Sequence, residues 1–301
     1  MRLPLTMLAV ALIAIPAHAS ELTGTLQKVK ETNKIILGIQ EASVPFSYLD
    51  GDQKAIGYAV DICMKIVDAV KHELNVSNVT VETLPVTSSN RIPLMMNGTV
   101  DLVCSSTTNN AERQRQVAFT NSHFLSATRF AARKADDIRT IDQLKGKPVV
   151  AISGSTNMVQ LNQMNAARNL GVTPLAAKDQ AEAFLMLETG RAAAYVLDDV
   201  QLAVAIARSK DPSAYIISEE AFSRAEPYGI MLRKDDAPFK AVADRATAEL
   251  YQSPEIETIY RKWFESPVPP NGLNFKTPMT AVLRNAYAQP SDNPDPASYE
   301  R

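Results

Sequence analysis

The sequence predicts an α/β protein of two units, each a largely parallel β-sheet with helices on both faces. Short apolar runs alternate with segments of helical periodicity along most of the chain, which is typical of α/β folds. The alternation occurs twice, in two series of about 100 residues each. At 301 residues and 46% hydrophobic composition, the chain is long enough for two medium domains with separate cores, or for one large domain.

The first series has the order strand, helix, strand, helix, strand, which favours parallel pairing. Its long helix has an apolar stripe formed by Ile62, Ile66, Val67 and Val70. The predicted elements are a strand at 34–39, a helix at 58–74, a strand at 79–86, a short helix in RIPLMMNG ending at Gly98, and a strand at 100–106.

The second series begins after Arg133 and repeats the alternation. Its helices start at hydroxyl or amide residues, which are typical N-caps, and stop at glycines. The predicted elements are a short helix in TIDQLKG between Thr140 and Gly146, a strand at 147–153, a helix from 155–157 to Gly171, a helix in KDQAEAFLMLETG ending at Gly190, a strand at 192–199 leading into another helix, and a strand at 214–218.

Two extended stretches, 116–124 and 226–234, connect the units without a Gly-, Ser- or Pro-rich linker. The helices predicted after them, at 237–252 and 254–265, have no strand partners of their own. We expect them to pack on the first unit, so the chain leaves that unit, builds the second and returns. Two crossings side by side would form a hinge.

These expectations define the predicted domain boundaries. The first lobe comprises 20–123 and 229–288, and the second lobe comprises 124–228. The tail at 289–301 is polar and rich in proline, so it is predicted to be disordered.

The N-terminus has the pattern of a signal peptide at 1–19. Arg2 precedes an apolar stretch from Leu3 to Ile15, and Ala17-His18-Ala19 suits cleavage before Ser20. The stretch is shorter than the roughly 20 residues that span a bilayer. A buried N-terminal helix is the alternative. The sequence therefore predicts an exported, periplasmic protein.

Composition excludes several classes of function. Lys and Arg number 31 against 33 Asp and Glu, which excludes a strongly basic nucleic-acid-binding protein. Three His and two Cys are too few for a His- or Cys-rich metal site, and no cofactor is implied. In an oxidising compartment Cys63 and Cys104 are predicted to form a disulfide, with two buried thiols as the alternative.

Catalytic motifs are missing from the sequence. There is no G-x-S-x-G, H-E-x-x-H, P-loop or G-x-G-x-x-G pattern, and SGST at 153–156 is only superficially similar to the first. His72 falls within a charged helix, and His123 is near the first crossing. The sequence therefore predicts a protein that is not an enzyme.

Polar residues follow three predicted strands, and ligands of parallel α/β sheets bind at those strand ends. A carboxylate could be bound by hydroxyls, backbone N–H groups and a guanidinium. These groups are offered by residues 104–108 with Arg113, and by residues 153–156 at a helix start. Residues 197–199 offer carboxylates for an ammonium group. Each feature alone is also explained by helix capping. Together they indicate a site that clamps an amino acid.

Six segments in order carry a resemblance to a known family. They are ASVPFSYLDG, IGYAVDICMKIVDAV, TSSNRIPLMMNGTVDLVCSSTTNNAERQRQVAFT, LKGKPVVAISGST, ETGRAAAYVLDD and YGIMLRKDD. The chain resembles the amino-acid-binding proteins of ABC importers (solute-binding protein family 3), most closely the glutamate/aspartate-binding branch, from about Leu22 to Tyr287. The resemblance implies a type II periplasmic-binding-protein fold: two α/β lobes, joined by a two-stranded hinge, that close over one amino acid.

The resemblance also implies roles for individual residues. Arg113 resembles the arginine that pairs with the ligand α-carboxylate, and Ser106 and Thr108 resemble its hydroxyl neighbours. Ser155 and Thr156 match the contribution of the second lobe at a helix N-terminus.

Three further positions match residues at the other groups of the ligand. Asp198 matches the acidic residue that holds the α-ammonium group. Ser88 and Arg91 match residues that face the ligand side chain in the acidic-amino-acid branch.

Three positions depart from that branch. Gln40 stands where a basic residue is usual, Gln180 where a histidine is usual, and Ile152 where a hydroxyl residue is usual. Each lost charged hydrogen bond should weaken glutamate binding by roughly 1.5–3 kcal/mol. The ligand is therefore either acidic, held by Arg91, or a neutral polar amino acid. Alternatively, Gln40 and Gln180 lie at the surface and the pocket is shifted.

The sequence thus predicts a periplasmic solute-binding protein that delivers an amino acid to the membrane permease of an ABC importer and acts as a monomer. The alternative is an exported dehydratase acting on cyclohexadienyl amino acids on the same fold, with Glu41 as the nearest candidate acid or base.

Overall fold

The computed structural model describes residues 22–300. The predicted signal peptide at 1–19 lies outside the described residues, as does Arg301.

The strands and helices alternate as expected for an α/β protein. The strands are β1 (Lys34–Ile39), β2 (Ala42–Ser43), β3 (Ser47–Leu49), β4 (Ala55–Ile56), β5 (Thr80–Pro85), β6 (Leu102–Cys104), β7 (Val117–Phe119), β8 (Phe124–Ser126), β9 (Thr128–Arg133), β10 (Pro148–Ile152), β11 (Thr173–Ala177), β12 (Ala194–Asp198), β13 (Tyr215–Ile217), β14 (Glu226–Tyr228) and β15 (Met231–Arg233). The α-helices are α1 (Gly24–Thr32), α2 (Tyr58–Leu74), α3 (Arg91–Met96), α4 (Ala111–Gln114), α5 (Thr156–Ala167), α6 (Gln180–Glu188), α7 (Asp199–Ala207), α8 (Ala237–Tyr251), α9 (Glu255–Phe264) and α10 (Ala281–Ala288). Short 3-10 helices lie at Lys134–Asp136, Ile141–Leu144, Pro212–Ala214 and Pro296–Tyr299.

The first lobe is built on a five-stranded sheet with the order β5-β1-β6-β15-β7. Strand β1 pairs in parallel with β5 and β6, whereas β15 is antiparallel to β6 and β7. Both predicted crossings therefore add a strand to this sheet. The carboxyl ends of β1 and β6 meet at the edge of the sheet that faces the second lobe, which places the segments after Ile39 and Cys104 in the cleft.

The second lobe is built on a five-stranded sheet with the order β11-β10-β12-β9-β13, in which β9 is the antiparallel strand. Strands β9 and β11 were not predicted. Strand β11 (TPLAA) lies at the sheet edge with three of its five residues exposed, and its apolar segment is only three residues long, Leu175 to Ala177. In β9 (TRFAAR) the apolar residues are flanked by Arg129 and Arg133, which interrupt the pattern.

The two crossings lie side by side, as predicted. Strands β8 and β14 form an antiparallel pair in which Phe124 is opposite Tyr228. Phe124 also stacks on Phe264 of α9, with 5.2 Å between ring centroids, and meets Phe46 edge-on at 5.0 Å. Such aromatic pairs contribute beyond their buried area. The cluster anchors the hinge strands to the core of the first lobe.

Helices α8 and α9 share a hydrophobic core with β1 and α2 of the first lobe. The fully buried side chains of Phe239, Tyr260 and Phe264 belong to this core. Helix α2 is also tied to β6, because Cys63 and Cys104 form a disulfide with Cα atoms 6.1 Å apart. The first lobe is thus assembled from segments on both sides of the second lobe in sequence.

The tail prediction is wrong for residues 289–300, which pack on the first lobe behind the hinge. The Ser122 backbone N–H donates to the carbonyl oxygen of Ser291, and the hydroxyls of Ser122 and Tyr299 are 2.8 Å apart. The side-chain amides of Asn109 and Gln114 donate to the carbonyl oxygen of Asp292. Burial of the Tyr299 ring and these bonds offset the entropy of ordering a polar segment.

Candidate functional site

Nine of the ten predicted ligand residues line a single cavity between the lobes. Gln40 and Gln180 are among them, so the alternative that these amides lie at the surface is not what the structure shows. The cavity is small, about 20 Å³, because side chains of the two lobes meet across it. The predicted residues in its lining are Gln40, Ser88, Arg91, Ser106, Thr108, Ser155, Thr156, Gln180 and Asp198.

Arg91 is the positive charge in the cavity lining. It is the first residue of α3 and is 3% exposed. Its guanidinium donates to the Thr107 hydroxyl at 3.0 Å, and its Nε has no hydrogen-bond partner within the described residues. Burial lowers the pKa of Arg91 well below its ordinary value, and the positive charge of Arg113 lowers it further. Within residues 22–300 no carboxylate forms a salt bridge with Arg91; Asp198 in the same lining acts on its pKa through Coulombic attraction, without contact.

Arg113, the tenth predicted residue, lies beside the cavity rather than in its lining. Asn110 caps the short helix α4, because its side-chain oxygen accepts a hydrogen bond from the Arg113 backbone N–H at 2.9 Å. The guanidinium donates to the carbonyl oxygen of Thr108 at 2.8 Å and, across the cleft, to that of Gly154 at 3.5 Å. Burial lowers the pKa of Arg113, whereas the carboxylate of Glu226 acts to raise it.

The second lobe approaches the first through the turn before α5. Ser155 caps this helix: its hydroxyl accepts from the Met158 N–H and donates to the Ile152 carbonyl oxygen. The Thr156 hydroxyl lies 3.2 Å from that of Thr108 in the first lobe. Gly154 has a φ of +75°, and a Cβ there would lie 2.7 Å from the Cα of Ser89 in the first lobe. Only glycine allows the lobes to come this close.

Asp198 ends β12 and is the negative charge in the cavity lining. Its Oδ1 accepts from Asn157 at 2.8 Å and from Thr128 at 3.2 Å, and its Oδ2 accepts from the Tyr228 hydroxyl. Burial raises the pKa of Asp198, and these hydrogen bonds act in the opposite direction. Tyr228 belongs to hinge strand β14, so the carboxylate is held by the second lobe and by the hinge together.

A polar cluster of four side chains adjoins the cavity, and three of them, Ser106, Gln180 and Gln201, belong to its lining. Ser43 and Ser106 belong to the first lobe, whereas Gln180 and Gln201 come from α6 and α7 of the second. The Nε2 of Gln201 donates to both serine hydroxyls, at 2.8 and 3.0 Å, and the Nε2 of Gln180 donates to Ser43 at 3.2 Å. The cluster connects the lobes directly.

Sequence reasoning missed some residues of the site. Asn157, Leu197 and Gln201 line the cavity, and Ser43 adjoins it through the polar cluster. Gln201 lies three residues after Asp198 at the start of a helix, so helical spacing could have placed it on the same face. Ser43 had no such signal, because its position depends on a small three-stranded sheet, β2-β3-β4, that was not predicted.

The remaining candidates for chemistry lie elsewhere. His123 is fully buried among the aromatic residues of the hinge, and burial lowers its pKa to about 3. Glu41, the candidate acid or base of an enzyme, lines a separate groove between the lobes. Within residues 22–300 no group of side chains could hold a metal ion, and no helix is long and apolar enough to cross a membrane.

Comparisons with known proteins agree with this architecture. Residues 35–266 match the family of bacterial extracellular solute-binding proteins, family 3. The chain is 46% identical over 288 residues to the L-glutamate/L-aspartate-binding protein of Pseudomonas aeruginosa, covering 95% of each chain. It is 41% identical to the glutamate/aspartate import solute-binding protein of Escherichia coli, covering 97% of this chain and 98% of the relative.

Among solved structures, an ancestral arginine-binding protein bound to arginine has a TM-score of 0.69 and 27% sequence identity, covering 77% of this chain and 98% of that structure. The similarity confirms the predicted type II periplasmic-binding-protein fold with two α/β lobes. Both the sequence match and the fold lead to the same conclusion: the chain belongs to the bacterial extracellular solute-binding proteins, family 3.

Proposed function

We propose that this protein captures glutamate or aspartate between its lobes in the periplasm and delivers it, as a monomer, to the membrane permease of an ABC importer. The relatives at 46% and 41% identity are named for binding or importing these two amino acids. The cavity offers partners for each charged group of such a ligand. Binding requires no covalent step, so the site residues act by position and charge.

The observation that carries the proposal is the buried guanidinium of Arg91. The α-carboxylate of any amino acid suits Arg113, which lies beside the cavity, and the α-ammonium group suits Asp198, which lines it. A neutral ligand would leave Arg91 buried without a counter-charge, which is costly. A second carboxylate on the ligand side chain would remove that cost. Arg91 therefore favours an acidic amino acid over a neutral one.

The departures from the glutamate/aspartate branch affect the same end of the ligand. Gln40 and Gln180 line the cavity and supply amides where that branch carries cations, and Ile152 supplies no hydrogen bond. The ligand side chain is then held mainly by Arg91. We expect each missing charged hydrogen bond to weaken binding by roughly 1.5–3 kcal/mol relative to the branch.

Closure of the lobes contributes to affinity in this proposal. Ser89, Thr108 and Arg113 of the first lobe make hydrogen bonds to the turn at 153–156 of the second. In the closed cleft, exclusion of water strengthens the ion pairs of the ligand with Arg113 and Asp198. The closed form is the one that presents both lobes to a permease.

The test is calorimetric titration of ligand-stripped mature protein with the twenty amino acids and common dicarboxylates. We expect glutamate and aspartate to bind and neutral amino acids to bind at least tenfold more weakly. Arg91→Met should weaken glutamate by roughly 10- to 100-fold. Arg284→Met, which alters an exposed arginine on α10, is the matched control and should bind like the unmodified protein. Tight binding of a neutral amino acid alone would contradict the proposal.

A further inference from the structure

The polar cluster formed by Ser43, Ser106, Gln180 and Gln201 has a hydrogen-bond pattern that can be assigned atom by atom. Ser43 and Gln201 are each 2% exposed, so their polar atoms depend on protein partners. The Ser43 and Ser106 hydroxyl oxygens are 3.0 Å apart, and either could donate to the other on distance alone. The two amides decide the direction.

Ser43 must be the donor of this pair. Its oxygen already accepts from the Nε2 atoms of Gln180 and Gln201, at 3.2 and 2.8 Å. A hydroxyl oxygen has two lone pairs, so both are occupied. The hydrogen of Ser43 is then the only group left to bridge the 3.0 Å to Ser106.

The same count fixes the direction of the Ser106 hydroxyl. Its oxygen accepts from Ser43 and from the second hydrogen of Gln201 Nε2, at 3.0 Å each. Both of its lone pairs are therefore occupied, and its hydrogen must point to another acceptor. Ser106 lines the cavity, so that hydrogen is available to a carboxylate of a bound ligand.

We propose that Gln201 and Ser43 are positioning residues that hold the Ser106 hydroxyl as a hydrogen-bond donor to the carboxylate of the bound amino acid. The inference rests on the proposed function, because it requires a ligand with a carboxylate in the cavity. Gln201 lies on the second lobe and Ser106 on the first, so the hydroxyl is oriented only when the cleft closes. Closure of the cleft thereby orients the Ser106 hydroxyl as a hydrogen-bond donor to the ligand carboxylate.

Gln201 is suited to this role because both hydrogens of its amide are used within the cluster. A glutamate at this position would reverse the pattern, since its carboxylate accepts hydrogen bonds and would draw the Ser106 hydrogen away from the ligand. A methionine of similar length would remove the donors and keep the volume. These two substitutions therefore separate hydrogen-bond direction from packing.

The experiment is a double-mutant cycle on ligand affinity, measured by calorimetry on the mature protein with glutamate and aspartate. Ser106→Ala should weaken binding by roughly 10- to 100-fold, as expected for a lost hydrogen bond to a carboxylate. Gln201→Met should weaken binding by about tenfold, and Gln201→Glu by more. In the Ser106→Ala background, Gln201→Met should weaken binding by a clearly smaller factor, because no Ser106 hydroxyl remains to be positioned and only the inter-lobe bond to Ser43 is lost.

The result that would overturn the inference is an equal effect of Gln201→Met in both backgrounds. That outcome would show that Gln201 only ties the lobes together through Ser43, a bond that Ser106→Ala leaves in place. Ser43→Ala provides a second variant with the same expected pattern, should Gln201→Met fail to fold. Gln163→Met, which alters an exposed glutamine on α5, is the matched control and should bind like the unmodified protein.

Failure of the proposed function gives a different result. If the unmodified protein binds a neutral amino acid instead of an acidic one, the identity of the ligand is wrong. The cycle is then measured with that amino acid, whose α-carboxylate also needs a donor. If the unmodified protein binds no amino acid at all, both the proposed function and this inference are refuted.

Discussion

Gly154 allows a direct test of whether ligand binding needs the close approach of the two lobes. A Cβ at this position would lie 2.7 Å from the Ser89 Cα and 2.9 Å from the carbonyl group of Ser88, both in the first lobe. Ordinary van der Waals contact begins at 3.4 Å, so Gly154→Ala would require the cleft to open by about 0.7 Å at this point. Backbone atoms cannot rotate away as a side-chain tip can.

The consequence for affinity follows from the bonds next to this contact. The Ser89 hydroxyl lies 3.0 Å from the Ser153 carbonyl oxygen, and the Thr108 and Thr156 hydroxyls are 3.2 Å apart. An increase of about 0.7 Å moves both pairs beyond hydrogen-bonding distance. At about 1 kcal/mol per bond, the loss is roughly 2 kcal/mol, or about 30-fold in affinity.

The assay is calorimetric titration with glutamate, combined with thermal unfolding of the ligand-free protein. Gly171→Ala is the matched control, because Gly171 also has a positive φ, +61°, but no atom lies within 4 Å of its added Cβ. Both variants should lose about 1–2 kcal/mol of stability from the left-handed backbone. Only Gly154→Ala should lose affinity. If the two variants bind glutamate equally well, closure to this distance is not part of binding.

Three further predictions concern other parts of the chain. Replacing Cys63 and Cys104 by alanine should reduce the free energy of unfolding by about 4 kcal/mol, because the disulfide closes a loop with a sequence separation of 41. Denaturant unfolding measures this loss, and a loss below about 1 kcal/mol would contradict the prediction. Asp198→Asn should weaken the amino acid by roughly 10- to 100-fold at neutral pH. Because burial raises the pKa of Asp198, the affinity of the unmodified protein for the amino acid should fall as the pH drops through that raised pKa. The pH profile of the affinity should be flatter for Asp198→Asn over the same range. Parallel profiles would exclude Asp198 as the partner of the ammonium group. Tyr299→Ala should destabilise the protein by about 3–5 kcal/mol, since it removes a buried ring and a hydrogen bond to Ser122, and an unchanged melting temperature would show that the tail contributes nothing.

Local patterns were enough to predict most elements and the lining of the cleft. Apolar runs and capping residues predicted β1, β6, β10 and β12, because a strand buried on both faces needs a continuous apolar segment. Strand ends of such sheets converge, so the residues after β6 and β12 could be assigned to one site from sequence order alone. Asp198 and Ser106 were predicted in this way.

Elements with weak apolar patterns depended on tertiary contacts. Edge strand β11 has three exposed residues of five and a short apolar segment, so its pattern is too weak to distinguish it from a loop. Tyr299 lies in a segment whose composition predicts disorder, yet a surface behind the hinge buries its ring. Composition describes how much apolar area a segment has, not whether a distant surface is shaped to cover it.

Residue types and spacing therefore determined the fold class, the two series of elements and the charged groups of the site. The tertiary structure decided which of these charged groups line the cavity and which hydrogen bonds they make. Arg113 lies beside the cavity with its guanidinium on two carbonyl oxygens, whereas Arg91 lines the cavity without a carboxylate in contact within the described chain. Ser43 and Gln201 are 158 positions apart and belong to different lobes, so their contact depends on the approach of the lobes. Hydrogen-bond direction depends on which donors and acceptors the fold brings within reach of each hydroxyl, which no sequence pattern encodes.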